Sequence, residues 1–374
     1  MTTTTPSAGE LRRLMTERLV STGALHSEEW EEAFLAVPRH AFVPRFAVRS
    51  QGTKIEYSEG DPSWLTAAYS DVSLLTQSDA AGTTTSSSTE PSLMARMLEA
   101  LDVEDGDDVL EIGSGTGYNA GLLAYRLGDE HVVSMDVDPD LVNVARGRLQ
   151  EAGFAPTLVT GNGMKICPER AQYDRLLATC GVGRIPTAWP AQVRPGGIIV
   201  ANIASGIARL TVDAEHAASG RFLPHLATFM LARATATDVS RTAGHFTRDL
   251  LSWTGATREI VLPASLDAEV PQLLSSLIAP DVLDVGLSTG AGQQIHCLFE
   301  PSTSSWARIT LLDPRTAQLD HGGPRDLWAE RAPLHSHWAN HGRPSPDRYG
   351  LTISSDGAHT LWLDDPSGTS WRLP

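Results

Sequence analysis

The chain has 374 residues and a formal net charge of −16 at pH 7, and 41% of its residues are hydrophobic. This length allows two domains, or one enlarged domain with an appendage, and the composition is that of an ordinary globular protein. The negative charge excludes broad nucleic-acid binding, which requires a basic surface.

The cysteines and the N-terminal residues exclude further classes. Cys167, Cys180 and Cys297 are widely spaced, so they predict neither a disulfide framework nor a cysteine-based zinc site. Residues 1–13 lack the apolar segment of a secretory signal, and no apolar run is long enough to span a bilayer. We therefore expect a cytoplasmic protein that contacts neither membrane nor nucleic acid.

The first predicted elements are helical. Apolar spacing predicts helices over residues 11–37, with Ser27 as a candidate N-cap. Two prolines then interrupt regular structure at 37–44, and residues 50–66 have the polar, glycine- and proline-containing composition of a loop. The N-terminal part is therefore predicted to be a helical and loop segment.

Residues 83–89 are all threonine or serine, and we call them the hydroxyl run. Such runs are often flexible linkers. This one leads directly into a predicted helix at 91–101, and a helix N-terminus offers free N–H groups and a favourable dipole to an anion. Capping requires only one or two hydroxyls, so we expect the run to bind a carboxylate.

The central motif is VLEIGSGTGY at 109–118, where an apolar run ends in Glu111 and a GxGxG turn. The pattern predicts a strand, a turn that lets a ligand approach the backbone, and a helix at 118–127. A dinucleotide fingerprint would require glycine at position 118, which is Tyr118. The spacing E-x-G-x-G-x-G is instead the form that S-adenosylmethionine (SAM) sites use, which favours an alkyl-transfer function.

Strands and helices alternate after this motif. A strand at 131–137 ends at Asp136, about 20 residues beyond the glycine turn, where such folds place a ribose-binding acid. A helix is predicted at 141–151, and nearly continuous apolar runs predict strands at 157–160, 174–178 and 198–203. The pattern predicts an α/β fold with a mostly parallel sheet, helices on both faces and ligands at the strand C-terminal ends.

From about residue 234 the sequence changes to short segments rich in Pro, Gly, Ser, Asp and Trp. Strands are predicted at 296–299, 306–312, 350–353 and 360–363, with a helix at 326–338, which indicates an additional α+β domain. The predicted parts are an N-terminal segment (1–85), a Rossmann-like SAM-binding core (86–233) and a C-terminal accessory domain (234–374).

Two features of the accessory domain have alternative explanations. The tryptophans at 328, 338, 362 and 371 form the core of this domain, or part of the domain is a groove for a peptide. His335, His337 and His341 have a metal-like spacing, but no carboxylate or cysteine completes the set, so we predict no metal.

Several further motifs occur in a fixed order: VPRHAFVP (37–44), AYSD (68–71), TEPSLMARM (89–97), the glycine motif, GNG (161–163) and RPGG (194–197). Through these motifs the chain resembles the protein-L-isoaspartyl O-methyltransferase family over residues 10–233. VPRHAFVP resembles the family's VPRxxFVP motif, AYSD resembles its AYxD, and the other pieces follow in the family's order. The resemblance implies a class I SAM-dependent methyltransferase fold.

The resemblance also implies roles for individual residues. SAM is the implied cofactor, with S-adenosylhomocysteine as its product, and Asp136 is the implied partner of the ribose hydroxyls. Thr89 stands where the family has its active-site serine, so Thr89 or Ser88 is the implied catalytic contact of the substrate carboxylate. Asn162 replaces the family's usual Asp near the adenine. The implied cofactor-binding residues are Ser86, Ser87, Ser92, Glu111, Gly113, Ser114, Gly115, Gly117, Asp136, Val137, Asn162 and Gly163.

Departures from the family motivate a more specific hypothesis. A polar insertion at about 51–65 separates the first two motifs, and we expect residues after 233 to have no counterpart in the isoaspartyl repair enzymes. The C-terminal tail resembles methyltransferases found with ATP-grasp peptide maturases, which methylate an aspartate in a crosslinked ribosomal peptide (a graspetide); the ester then closes to an aspartimide.

The leading hypothesis is therefore SAM-dependent O-methylation of an aspartate side chain in such a modified precursor peptide. The maturase of the same pathway is a candidate second partner. Two alternatives stay open at this point: an isoaspartyl repair enzyme with an extra domain, and a non-catalytic SAM-binding module that recruits a partner.

Overall fold

The structure is a computed structural model that describes residues 6–50, 53–80, 82–167, 169–170, 172–238, 246–288 and 293–374. Residues 51 and 52 of the predicted polar loop, and residues 239–245 at the start of the predicted accessory domain, lie outside these ranges. The helices are α1 (Ala8–Ser21), α2 (Glu28–Ala36), α3 (Trp64–Ala68), α4 (Pro91–Leu101), α5 (Tyr118–Leu127), α6 (Pro139–Glu151), α7 (Ala188–Ala191), α8 (Thr247–Ser252), α9 (Glu269–Ile278) and α10 (Leu327–Asn340).

Within the described residues the strands form three sheets, with four, ten and five members. In chain order they are β1 (Arg45–Ser50), β2 (Thr53–Ser58), β3 (Leu74–Ser78), β4 (Thr84–Ser88), β5 (Val109–Ile112), β6 (Val132–Asp136), β7 (Thr157–Thr160), β8 (Tyr173–Val182), β9 (Val193–Ile203), β10 (Gly206–Val212), β11 (Ala218–Phe222), β12 (Ala256–Val261), β13 (Leu283–Ser288), β14 (Gln294–Glu300), β15 (Ser305–Leu311), β16 (Thr316–Gly322), β17 (Tyr349–Ile353), β18 (His359–Leu363) and β19 (Ser370–Arg372).

The ten-stranded sheet has the order β19-β18-β17-β11-β10-β9-β8-β5-β6-β7. The side from β9 to β7 is parallel, and the side from β9 to β19 is antiparallel. The α/β class is confirmed, but the sheet is mixed rather than mostly parallel. The reason is the short link between Ile203 and Gly206, because two residues can join only antiparallel neighbours.

Consecutive residues of the central strands belong to two different hydrophobic cores. Leu110 packs with one core and Val109 with the other, because neighbouring side chains of a strand point to opposite faces. Helices α1, α2, α4 and α5 cover the face of Val109, whereas α7 and α9 cover the face of Leu110. Burial on both faces explains the nearly continuous apolar runs in the sequence.

The division of the chain at residue 233 needs a correction. Strands β17, β18 and β19 lie in the ten-stranded sheet, and α9 supplies buried residues to the core of that sheet. Residues 256–322 do contain a separate antiparallel sheet, of order β12-β16-β15-β14-β13, with its own core against α10. The accessory region is therefore interleaved with the SAM-binding core. No local sequence pattern reveals this arrangement, because the strands that pair are far apart in the sequence.

The tryptophans of this region are core residues. Trp328 and Trp362 are each 3% exposed, and Trp338 and Trp371 pack, partly buried, against the core of the large sheet. Their burial supports the first of the two explanations given above for these tryptophans, in which they form a core rather than line a groove.

The predicted loop at 50–66 is wrong for most of its length, since β1 and β2 form a hairpin and α3 follows it. Phe46 and Tyr57 stack across the hairpin with ring centroids 5.4 Å apart, and cross-strand aromatic pairs of this kind stabilise β-structure.

The hydroxyl run forms strand β4 rather than a linker, in a four-stranded sheet of order β2-β1-β3-β4. No helix within the described ranges is both long and apolar enough to cross a bilayer.

Candidate active site

A cleft with a volume of about 400 Å³ opens at the C-terminal ends of β5 and β6, a size typical of small-molecule sites. The glycine turn, β4 and residues 228–233 form its walls. The cleft brings together residues that the sequence places far apart. The predicted site residues that line it are Ser86, Ser87, Ser88, Thr89, Glu111, Gly113, Ser114, Gly115, Asp136, Val137 and Gly163.

The glycine turn has a backbone conformation that other residues rarely adopt. Gly113 and Gly115 have φ of 103° and 49°, and a β-carbon on Gly113 would lie 2.7 Å from Thr179 Oγ1. Thr179 donates hydrogen bonds to the carbonyls of Ile112 and Gly113, at 3.1 and 2.8 Å. Thr179 therefore fixes the position of the turn, and its glycines leave backbone atoms that a ligand can approach closely.

Glu111 is fully buried beside this turn. Its carboxylate accepts hydrogen bonds from Asn119 Nδ2, at 2.6 Å, and from Ser134 Oγ. Burial nevertheless raises the pKa of Glu111 to about 7, against an ordinary value of 4.5. A cation bound in the cleft would favour the ionised form of this carboxyl group, so Glu111 fits the α-ammonium of a SAM amino-acid moiety.

Asp136 ends β6 and presents a largely buried carboxylate to the cleft. It accepts hydrogen bonds from the N–H groups of Gly115, at 2.9 Å, and Asp138, at 3.1 Å. Burial raises the pKa of Asp136, and the two hydrogen bonds oppose that shift. A carboxylate has about four acceptor positions, so Asp136 can still accept from the two hydroxyls of a ribose.

A buried arginine connects two of the sequence motifs to Thr89, which lines the cleft. Arg39 is fully buried, and its guanidinium donates to the carbonyls of Ala68, Ser70, Val72 and Thr89 at 2.8–3.2 Å. Burial lowers the pKa of Arg39 to about 10. The VPRHAFVP and AYSD motifs therefore fix the position of Thr89 without lining the cleft themselves.

The N-terminus of α4 offers less to an anion than the sequence suggested. Pro91 has no N–H group, and the N–H of Ser92 donates to Asp71 Oδ1 at 2.9 Å. Burial and the neighbouring Asp71 raise the pKa of Glu90, so acidic groups accumulate at this helix end. The hydroxyls of β4, rather than the helix dipole, are therefore the groups that can hold a substrate carboxylate.

Three predicted cofactor-binding residues have other contacts. The backbone of Ser92 is bonded to Asp71, as described above. A β-carbon on Gly117 would lie 3.2 Å from the side chain of Ala145 in α6, so this glycine permits close packing. Asn162 Oδ1 accepts from the N–H of Met164 at 2.9 Å, within its own loop. Contacts of these three residues with the cofactor stay predictions.

Residues 228–233 form one wall of the cleft, and no sequence motif marked them. This segment runs beside the end of β8, where the N–H of Gly181 donates to Met230 O and the N–H of Ala232 donates to Gly181 O, both at 2.8 Å. A signal for it lies in Gly181 itself, since a β-carbon there would lie 3.1 Å from Phe229 O. Arg49 on β1 and Arg233 are further lining residues that no motif marked.

Two other side chains of reactive types, Cys180 and His40, are not available as a nucleophile or a base in the cleft. Burial raises the pKa of the Cys180 thiol to about 12, so it stays protonated at neutral pH and is not a nucleophile. His40 lies outside the cleft lining and bonds the hydroxyl of Tyr69 through Nδ1 at 2.7 Å. The cleft is therefore suited to holding a group that is already ionised.

Comparisons with known proteins agree with this geometry. A sequence model of the family described as Protein-L-isoaspartate(D-aspartate) O-methyltransferase matches residues 11–223. The Protein-L-isoaspartate O-methyltransferase of Ignicoccus hospitalis is 34% identical over 193 residues, which are 51% of this chain and 81% of the relative. The protein of the same name from Methanosarcina mazei is 35% identical over 198 residues, which are 52% of this chain and 71% of the relative.

The match to a solved structure extends to the accessory region. A solved protein-L-isoaspartate O-methyltransferase aligns with a TM-score of 0.56 and 22% identity, covering 95% of this chain and all of that one. At this identity the likeness concerns the fold alone. The expectation that residues after 233 have no counterpart in these enzymes is therefore wrong.

Proposed function

Because this chain belongs to the protein-L-isoaspartate O-methyltransferase family, we propose that it methylates the free carboxylate of an isoaspartyl residue in a peptide or protein. The coarser activity follows from family membership: the chain is a SAM-dependent carboxyl O-methyltransferase, which sets aside the non-catalytic alternative. The observation that carries the proposal is the contact between the hydroxyl strand β4 and the glycine turn. A β-carbon on Gly115 would lie 3.7 Å from Ser86 Oγ and from Ser87 O.

The residues of the cleft match the demands of carboxyl methylation. SAM, when bound, supplies a methyl group on a positively charged sulfur, and the products are a methyl ester and S-adenosylhomocysteine. A carboxylate with an ordinary pKa near ~4 is already ionised at neutral pH, so a general base is unnecessary. The protein's task is to hold the carboxylate in line, and good positioning is worth up to roughly 7–11 kcal/mol.

Two side chains are proposed for this positioning. Ser88 is buried and Thr89 is partly exposed, and the carbonyl of Thr89 is fixed by Arg39 at 3.0 Å. Neutral hydroxyls can donate to a carboxylate without forming the tight ion pair that an arginine would make. The carboxylate then keeps its charge and its nucleophilic oxygen.

A second candidate function is methylation of an ordinary aspartate side chain in a crosslinked peptide, followed by closure to an aspartimide. In that closure the next backbone nitrogen attacks the ester carbonyl, loses its proton and displaces methanol. The observation that favours this candidate is that the polar insertion at about 51–65 supplies β2, which pairs with β1, and that Arg49 of β1 lines the cleft. The relatives' names favour the isoaspartyl substrate over this one. The precursor peptide and its maturase are proposed partners only under this candidate, and the cytoplasmic location stays a prediction.

One experiment separates the substrates. The full chain is incubated with SAM and, in parallel, with an isoaspartyl peptide, the matched aspartyl peptide and a crosslinked precursor, and the products are followed by mass. We expect a methyl ester on the isoaspartyl peptide and none on the aspartyl peptide. Methylation of the crosslinked precursor alone, with later loss of methanol, would replace the first candidate with the second. Absence of transfer to all three would refute both.

A further inference from the structure

We propose that Arg49 binds a second acidic group of the substrate, carried two residues away from the methylated one. The inference rests on the proposed carboxyl methylation and adds the sequence context that the enzyme selects. It assigns a specificity role to the β1–β2 hairpin.

The register of the four-stranded sheet places Arg49 in line with Thr89. Ala47 of β1 pairs with Leu75 of β3, and Leu75 pairs with Ser87 of β4. Continuing both pairings by two residues sets Arg49 opposite Ser73 and Ser73 opposite Thr89. All three residues line the cleft, so Arg49 of β1, Ser73 immediately before β3 and Thr89 immediately after β4 form one row on the face that looks into it.

The spacing of this row fits a short segment of peptide. Neighbouring strands lie about 4.8 Å apart, so the backbones of Arg49 and Thr89 are roughly 10 Å apart. In an extended peptide, residues two apart project from the same face, about 7 Å from each other. When the methylated carboxylate lies at Thr89, the side chain of Arg49 can extend toward it and contact a second carboxylate, two residues away in the peptide.

Arg49 has no acidic partner among the residues that the structure describes. Its side chain is exposed and makes no hydrogen bond or ion pair with the part of the chain that the structure describes. By contrast, Arg45 on the same strand pairs with Glu56 at 3.4 Å, and Arg233 across the cleft donates to the carbonyls of Thr85 and Ala236. Acidic residues outnumber basic ones by 45 to 29, so a guanidinium without an acidic partner beside the active site points to an acid from the substrate.

Arginine is also the residue type that suits this role. Its planar guanidinium binds a carboxylate through two parallel hydrogen bonds, which gives directional selectivity that a lysine lacks. Binding the methylated carboxylate itself in this way would quench its nucleophilicity. The second acid is therefore the better partner for Arg49, and the hydroxyls of β4 are left for the first.

The test compares matched isoaspartyl peptides that carry Glu, Gln or Lys two residues before or two residues after the isoaspartate. The full-length wild type, Arg49→Gln, Arg49→Glu and the control Arg45→Gln are assayed for kcat/KM. We expect the wild type to prefer Glu over Gln about fivefold at one of the two positions, as for a partly exposed ion pair. Arg49→Gln should lose this preference, Arg49→Glu should prefer Lys, and Arg45→Gln should behave as wild type.

Two results would overturn the inference. One is a wild type that treats the Glu, Gln and Lys peptides alike. The other is an Arg49→Gln variant that loses activity equally on all of them, because Arg49 would then contact the reacting carboxylate. Binding of the same peptides in the presence of S-adenosylhomocysteine, followed by fluorescence anisotropy, separates this failure from that of the proposed function. An Arg49-dependent preference in binding without methyl transfer would support the inference and refute the function.

Discussion

Replacing Glu111 with glutamine should make the ligand-free protein more stable above neutral pH. An acid whose pKa rises on folding lowers the free energy of unfolding. This loss is absent below the pKa of the unfolded state and complete above the raised pKa of the folded state. For Glu111 the two values are 4.5 and about 7, so wild-type stability should fall as pH rises between them. The difference corresponds to about 3 kcal/mol, at about 1.4 kcal/mol per pKa unit.

The surroundings of Glu111 can accept the amide. The amide oxygen of the substituted side chain would keep a donor, Asn119 or Ser134, and Asn119 Oδ1 is a buried acceptor without a hydrogen-bond partner among the described residues. A rotated Asn119 side chain can therefore accept from the new NH₂ group. The substitution removes the charge without leaving the new polar atoms unsatisfied.

Urea denaturation at pH 5 and pH 8.5 tests the argument. Wild type and Glu111→Gln should be similarly stable at pH 5, whereas the variant should be more stable by up to about 3 kcal/mol at pH 8.5. Glu104→Gln, at an exposed position, is the matched control and should follow the wild-type profile. A variant that is less stable than wild type at both pH values would refute the reasoning.

Three other substitutions test the remaining parts of the site. Asp136→Asn should raise the Kd for S-adenosylhomocysteine about tenfold or more in calorimetry, since a hydrogen bond to a charged group is worth about 1.5–3 kcal/mol. The control Asp140→Asn, at an exposed position, should leave this Kd unchanged. Equal affinities of wild type and Asp136→Asn would disprove the ribose contact. Thr89→Ala should lower kcat about five- to tenfold with little effect on cofactor affinity. The control Thr83→Ala should keep the wild-type kcat. Full activity of Thr89→Ala would refute the assignment of Thr89 to the active site. Arg39→Met should lower the free energy of unfolding by at least about 3 kcal/mol, because four carbonyls lose their donor; an unchanged urea midpoint would contradict that structural role.

The sequence predicted the part of the site that is built from local units. The strand at Val109–Ile112, the glycine turn and the acid at Asp136 each follow from a short pattern, because a βα unit forms from neighbouring residues. The composition of the hydroxyl run and its place before α4 led to the expectation that it binds a carboxylate, which stays a prediction. Its conformation as strand β4 was not predicted. Alternating burial of Ser86 and Ser88 depends on pairing with β3, and composition alone does not report pairing.

Long-range pairing also accounts for what the sequence missed in the fold. Ala218 pairs with Ile353 across more than a hundred residues of sequence, so no local pattern assigns β17 to the sheet of β5. The same holds for residues 228–233, whose place beside Gly181 depends on the folded end of β8. Arg49 carries no motif, and only the register of β1 against β3 places it at the cleft.

The pairing of β11 with β17 bears on how the chain matures after synthesis. Residues 218–221 pair with residues 350–353, so this side of the catalytic sheet stays open on the ribosome until residue 353 has been made. Open strand edges are the places where nascent or recombinant chains aggregate. A shortened version that stops after the SAM-binding segment would keep every predicted catalytic residue and still expose this edge. A chain expressed for assays should therefore include β17, β18 and β19.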